Sequence, residues 1–105
     1  MARKLARRKT TQEPIGEKGE ILFFYLAHCP HCLRARQLMA QVFSNHPEYK
    51  TIPIREINER KEPEIADAYD YYYVPTYYVD GKKVHEGVPT YEKIKAVFEA
   101  AAASD

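Results

Sequence analysis

Residues Ile21-Leu22-Phe23-Phe24-Tyr25-Leu26 form an unbroken apolar run, rich in aromatics, which gives way at once to Cys29-Pro30-His31-Cys32. A run of this kind bounded by turn residues suits a central strand covered on both faces. Pro30 is favoured as the first residue of a helix, because its missing N–H would have no partner there. The chain is 105 residues long, which leaves room for one domain around one core. A doubly covered strand passing into a helix points to an α/β architecture.

The remaining elements follow from periodicity and turn chemistry. After Pro30, Leu33, Met39, Ala40 and Phe43 fall on one helical face, widened by Leu38 and Val42, and Asn45-His46-Pro47 ends that helix. Residues 51–57 read as a second strand, placed at a sheet edge by Pro53. A short helix is expected over residues 62–69, with Ile65, Ala66 and Tyr69 inward. Thr76-Tyr77-Tyr78-Val79, Asp80-Gly81 and Lys83-Val84-His85-Glu86 read as a hairpin, since Asp-Gly between strand-like runs is a strong hairpin signal. Lys82 and Lys83 beside the turn are read as solvated charges. Thr90 caps a last helix that buries Ile94, Val97 and Phe98 and frays through the alanines at 100–103. The order β-α-β-α-β-β-α gives a four-stranded mixed sheet with helices on both faces.

Residues 1–18 read as a basic arm and 19–105 as the folded domain. Arg3, Lys4, Arg7, Arg8 and Lys9 concentrate positive charge in the first ten residues, while the whole chain carries only +1. A solvated terminus is the simpler reading of such a cluster than a nucleic-acid or membrane contact. The longest apolar run, seven residues from Ile21, is far short of the roughly 20 needed to cross a bilayer. No apolar segment follows the basic start as a secretory signal would require, so the cytosol is the expected compartment.

In a reducing compartment a two-cysteine motif is read first as catalytic or metal-binding. Cys29, at the cap of the helix, would face free backbone N–H groups at the positive end of the helix dipole. A thiolate is favoured there, and thiolate is the reactive form. Cys32 lies on the same side of the first turn, so the two sulfurs can close a disulfide. Cys29 is therefore expected to be the exposed attacking thiol and Cys32 the resolving one. His31 and Pro30 are expected to tune the pair, His31 by placing an imidazole beside the Cys29 sulfur, with His28 adding to the effect. Cys29 and Cys32 also have zinc-ligand spacing, and His28, His31, His46 or His85 could complete a set. No second Cys-x-x-Cys or His pair follows, and the strand–turn–helix context favours redox chemistry, so no metal is expected.

Over about residues 20–103 the chain resembles the thioredoxin superfamily, and within it the small glutaredoxin-like branch. The resemblance rests on Cys29-Pro30-His31-Cys32 after a buried strand, and on Tyr73-Val74-Pro75-Thr76 before the Asp80-Gly81 hairpin and Gly87. It implies a cis Pro75 beside the cysteines, with Val74 presenting its backbone to a substrate peptide or glutathione. Tyr72 or Tyr73 is expected either to pack on the sheet or to form an apolar lip where a partner docks. The sequence departs from the family in three places. Phe23 stands where thioredoxins bury an acid, no tryptophan precedes the motif, and Gly87 is followed by Val88-Pro89-Thr90 rather than by a glutaredoxin's second glycine and acid. The Pro-His dipeptide looks like that of the periplasmic disulfide-donating oxidases, but their inserted helical domain has no room here.

The expected activity is thiol–disulfide exchange on protein or small disulfides. The Cys29–Cys32 disulfide serves in place of a cofactor, and glutathione is a candidate co-substrate. The reductant would be glutathione or a thioredoxin-reductase-type partner, and a monomer is expected. The rival reading is a zinc-binding or redox-inert interaction module on the same fold.

Overall fold

Alternation along β1 (Ile21–Tyr25) divides the core into two layers. The computed structural model describes residues 18–104, so the arm expected over residues 1–18 lies, but for Lys18, outside the described residues. The elements are β1, α1 (Pro30–Asn45), a 3-10 turn (Pro47–Thr51), β2 (Ile54–Asn58), α2 (Pro63–Ala66), β3 (Thr76–Val79), β4 (Lys82–Glu86) and α3 (Tyr91–Ala102). The sheet order is β2-β1-β3-β4. β1 runs parallel to β2 and antiparallel to β3, and β3 and β4 form the hairpin.

Ile21 and Phe23, with Tyr77 and Val79 of β3, face α1 and α3, where they meet Ala35, Leu38, Met39, Val42, Ile94, Val97 and Phe98. Leu22 and Phe24, with Ile57 and Tyr78, face the other way, where α2 and the following loop contribute Ala66, Tyr69, Tyr71 and Val74. Cys29 and Cys32 belong to this second layer. Ile21, Phe23 and Phe24 have no exposed surface, as a strand covered on both faces requires.

Several elements differ from their expected bounds. The buried face of α1 is Cys32, Ala35, Leu38, Met39 and Val42, whereas Leu33 and Ala40 point outward. The phase is set by Cys32 and Ala35, small side chains that are enclosed in the two core layers. Residues 47–51 coil into a 3-10 turn, so β2 starts at Ile54; Pro53 precedes it and β2 is an edge strand. α2 stops at Ala66: the Asp67 amide still bonds four residues back, to Pro63, but Ala68 and Tyr69 bond only three back. Tyr69 is still buried, carried inward by this tighter turn. α3 continues to Ala102 with Ala101 buried, so the alanine tail is part of the helix.

The hairpin turn has positive φ at both Asp80 (53°) and Gly81 (81°), the left-handed pair that a two-residue turn of matching twist needs. Its Asp80 carboxylate accepts the Gly19 N–H at 2.8 Å and the Ser104 hydroxyl, joining both ends of the described chain to the turn. Lys83 is not simply solvated: its Nζ donates to Glu86 at 2.7 Å and to the Asp70 carbonyl.

Candidate active site

Cys29 is the N-cap of α1, in extended backbone (φ −99°, ψ 114°), and its Sγ accepts the Cys32 N–H at 3.2 Å. Pro30 follows at the first helical position, and the Leu33 N–H closes the first turn on the Cys29 carbonyl at 2.9 Å. Both thiols are free. Contrary to the expectation of an exposed nucleophile, Cys29 is 4% exposed and Cys32 2%. The capping role explains this, because the sulfur turns inward onto the helix amides instead of out to solvent.

Burial pushes the Cys32 thiol well up, and the adjacent Cys29 sulfur adds to the effect; the Leu26 backbone and the Arg36 guanidinium oppose it. A cavity of about 510 Å³ opens over the pair, lined by Tyr25, Leu26, Ala27, His28, Cys29, Pro30, Cys32, Leu33 and Arg36. His28 sits in the left-handed region (φ 62°), a conformation uncommon for a residue with a side chain, and it turns the chain from strand into helix. His28 is thus on the cavity wall, whereas His31 is exposed and does not line the cavity.

The Val74–Pro75 bond is cis. Val74 packs in the same apolar layer as both cysteines, but it has no exposed surface. The accessible surface ahead of the cis bond belongs to Tyr73, which is 49% exposed. The three tyrosines divide: Tyr71 is fully buried and donates to Glu59 at 2.6 Å, Tyr72 is half-buried, and Tyr73 faces out. This loop is held at several points. The Glu86 carboxylate accepts the Tyr72 and Tyr73 N–H groups at 2.5 and 2.8 Å. The Thr76 hydroxyl donates to the Tyr73 carbonyl, and the Gly87 N–H to the Pro75 carbonyl at 2.9 Å.

Burial alone would raise the Glu86 carboxyl, but its bonds from Lys83 and the two tyrosine amides together outweigh that and hold it below the usual carboxylate range. Neither Glu86 nor Arg36 was singled out by motif or spacing. Glu86 stands on the polar face of a strand, and nothing local shows that it reaches back to a loop fourteen residues earlier. The i, i+4 spacing of Cys32 and Arg36 was the one available signal for the latter.

Two of the four candidate zinc-binding histidines are engaged elsewhere. His46 stacks on Tyr49 and meets Glu48 at 3.5 Å, and His85 Nε2 lies 2.9 Å from the Gly87 carbonyl. Among the described residues no group of three or more His, Cys, Asp or Glu side chains is gathered as a metal would need. Among the same residues no helix is long and apolar enough to cross a membrane.

A dithiol at the N-terminus of a helix shares its apolar layer with Val74, the residue ahead of a cis proline, on a four-stranded mixed sheet. The chain belongs to the thioredoxin family: residues 20–99 match the family described as "Thioredoxin domain". That membership makes its general class thiol–disulfide oxidoreductase. It is 30% identical over 77 residues to a thioredoxin of Methanocaldococcus jannaschii, covering 73% of this chain and 88% of that protein. In fold it is similar to the oxidised thioredoxin from Plasmodium falciparum, with a TM-score of 0.59 and 19% identity over 80% of this chain and 81% of that one. It is also similar to the reduced desulfothioredoxin from Desulfovibrio vulgaris Hildenborough, with a TM-score of 0.54 and 21% identity over 95% and 99% of the two chains.

Proposed function

We propose that the protein reduces or exchanges disulfides of proteins or small molecules, with Cys29 as attacking thiol and Cys32 as resolving thiol. The observation that carries the proposal is the Cys29 sulfur at the N-cap, receiving the Cys32 amide inside an open cavity. Attack by the Cys29 thiolate on a substrate disulfide forms a mixed disulfide and expels one substrate thiolate. Cys32 then displaces the second, leaving the Cys29–Cys32 disulfide. Exposed Leu33 on the cavity wall would meet the substrate's apolar surface, and exposed Tyr73, ahead of the cis Pro75, would extend that surface, with Val74 supporting the loop from within. Electrons return from glutathione or from a thioredoxin-reductase-type partner, with no bound cofactor required.

The test is a pair of substitutions. Cys29→Ser is expected to abolish exchange, whereas Cys32→Ser accumulates a mixed disulfide, visible as one added substrate thiol by mass spectrometry. A native chain that exchanges no disulfide, or mixed disulfide accumulating equally in both variants, would overturn this assignment.

A further inference from the structure

Resolution of the mixed disulfide requires Cys32 to lose its proton, yet Cys32 is buried among Leu22, Phe24 and Val74 and burial disfavours its thiolate. The charged and titratable groups around it are Cys29 and His28 at the strand–helix turn, Tyr25 on β1, Tyr77 on β3, Glu56 on β2 and Arg36 on α1, with Tyr69, Tyr71 and Tyr78 in the same apolar layer. Only Arg36 among them is a permanent cation. It stands one helical turn beyond Cys32 on the same face and borders the same cavity. Its position is fixed from two sides. The guanidinium donates to both Glu56 oxygens at 3.0 and 3.1 Å, and it lies 5.1 and 4.8 Å from the ring centroids of Phe23 and Tyr25. Glu56 is the register partner of Phe23 across the parallel pair, so the fork rests on the sheet itself.

We propose that Arg36, held by Glu56 on the wall of the cysteine cavity, is the cation against which Cys32 gives up its proton in the second half of exchange. The proposal rests on the assignment of Cys32 as resolving thiol. In that step the Cys32 proton passes to water in the cavity and the Cys32 sulfur attacks Cys29 Sγ. The Cys29–Cys32 bond forms, the bond from Cys29 to the substrate sulfur breaks, and the released thiolate takes a proton from solvent. The cysteine pair loses two electrons and the substrate gains them.

A symmetrical aromatic disulfide whose released thiolate is coloured separates the two halves, because Cys29 releases one equivalent and Cys32 the second. In Arg36→Met the second release is expected to slow about tenfold relative to the first near neutral pH, with its pH midpoint raised by about one unit. Arg36→Lys should recover most of the loss. Glu56→Gln, which keeps an acceptor but removes the opposing charge, should move the midpoint down; a merely structural prop would slow the step in both variants. An unmoved midpoint in Arg36→Met, no recovery in Arg36→Lys, or a raised midpoint in Glu56→Gln would each overturn the proposal. A native chain giving neither release would instead defeat the exchange assignment, and this inference with it.

Discussion

Cys29 and Cys32 are almost equally inaccessible, so what separates them is the company each sulfur keeps. Both lie in the same apolar layer, but the Cys29 sulfur receives a backbone amide at the helix terminus, whereas burial pushes the Cys32 thiol up. The motif made this pair legible in the sequence, because proline and spacing fix which cysteine caps the helix. The histidines were less legible, since the direction of a ring depends on a backbone angle that no motif encodes. The left-handed φ of His28 puts that residue on the cavity, and His31 stands outside it. An imidazole N–H able to donate toward the Cys29 sulfur favours the dithiol over the disulfide, so its removal makes the pair more reducing. His28→Ser is therefore expected to lower the reduction potential more than His31→Ser, with the latter changing it by less than about 30 mV, one decade in the equilibrium. Equilibration of each variant with a glutathione buffer and counting of free thiols measures both, and a larger shift from His31 would reverse the assignment.

At the scale of elements, the loop before Pro75 is shaped by β4 as much as by its own residues. Glu86 accepts two consecutive amides of that loop, so Glu86→Ala would leave both donors without their acceptor. The expected cost is about 1–3 kcal/mol in urea unfolding, with the same substitution weakening exchange on protein substrates through Tyr73. Because the folded Glu86 carboxyl is held below its ordinary value of 4.5, its contribution is full above that value and is lost as pH falls through the lower folded one. The stability gap between parent and Glu86→Ala should therefore close in acid, and a gap that widened there would refute the clamp. Strand and hairpin positions were readable from apolar runs and the Asp80-Gly81 turn. The inward face of α1 was not, because Cys32 and Ala35 carry little hydrophobic signal and are buried for their small size.

Across the whole molecule, buried polar groups set the response to acid. His85 is 6% exposed and its pKa is lowered, chiefly by burial. Its contribution to stability is thus full above its ordinary value of 6.5 and is lost as pH falls through its lower folded value. Urea midpoints should decline as pH falls below the ordinary histidine value of 6.5, and His85→Gln should flatten that part of the profile; an unaltered slope would assign the decline elsewhere. The layered sheet was legible because β1 announces burial on both faces and turn residues mark the ends of most elements. The tie between Asp80, Gly19 and Ser104 was not, since it joins residues whose nearness only the closed fold creates. The cap on α1 has a consequence of a different kind. A helix finished by a reactive sulfur couples the voltage of that sulfur to the melting of the chain through a closed thermodynamic cycle. The folding free energies of the dithiol and disulfide forms differ by the same amount as the potentials of the folded and unfolded pair, so two melting curves together act as an electrode.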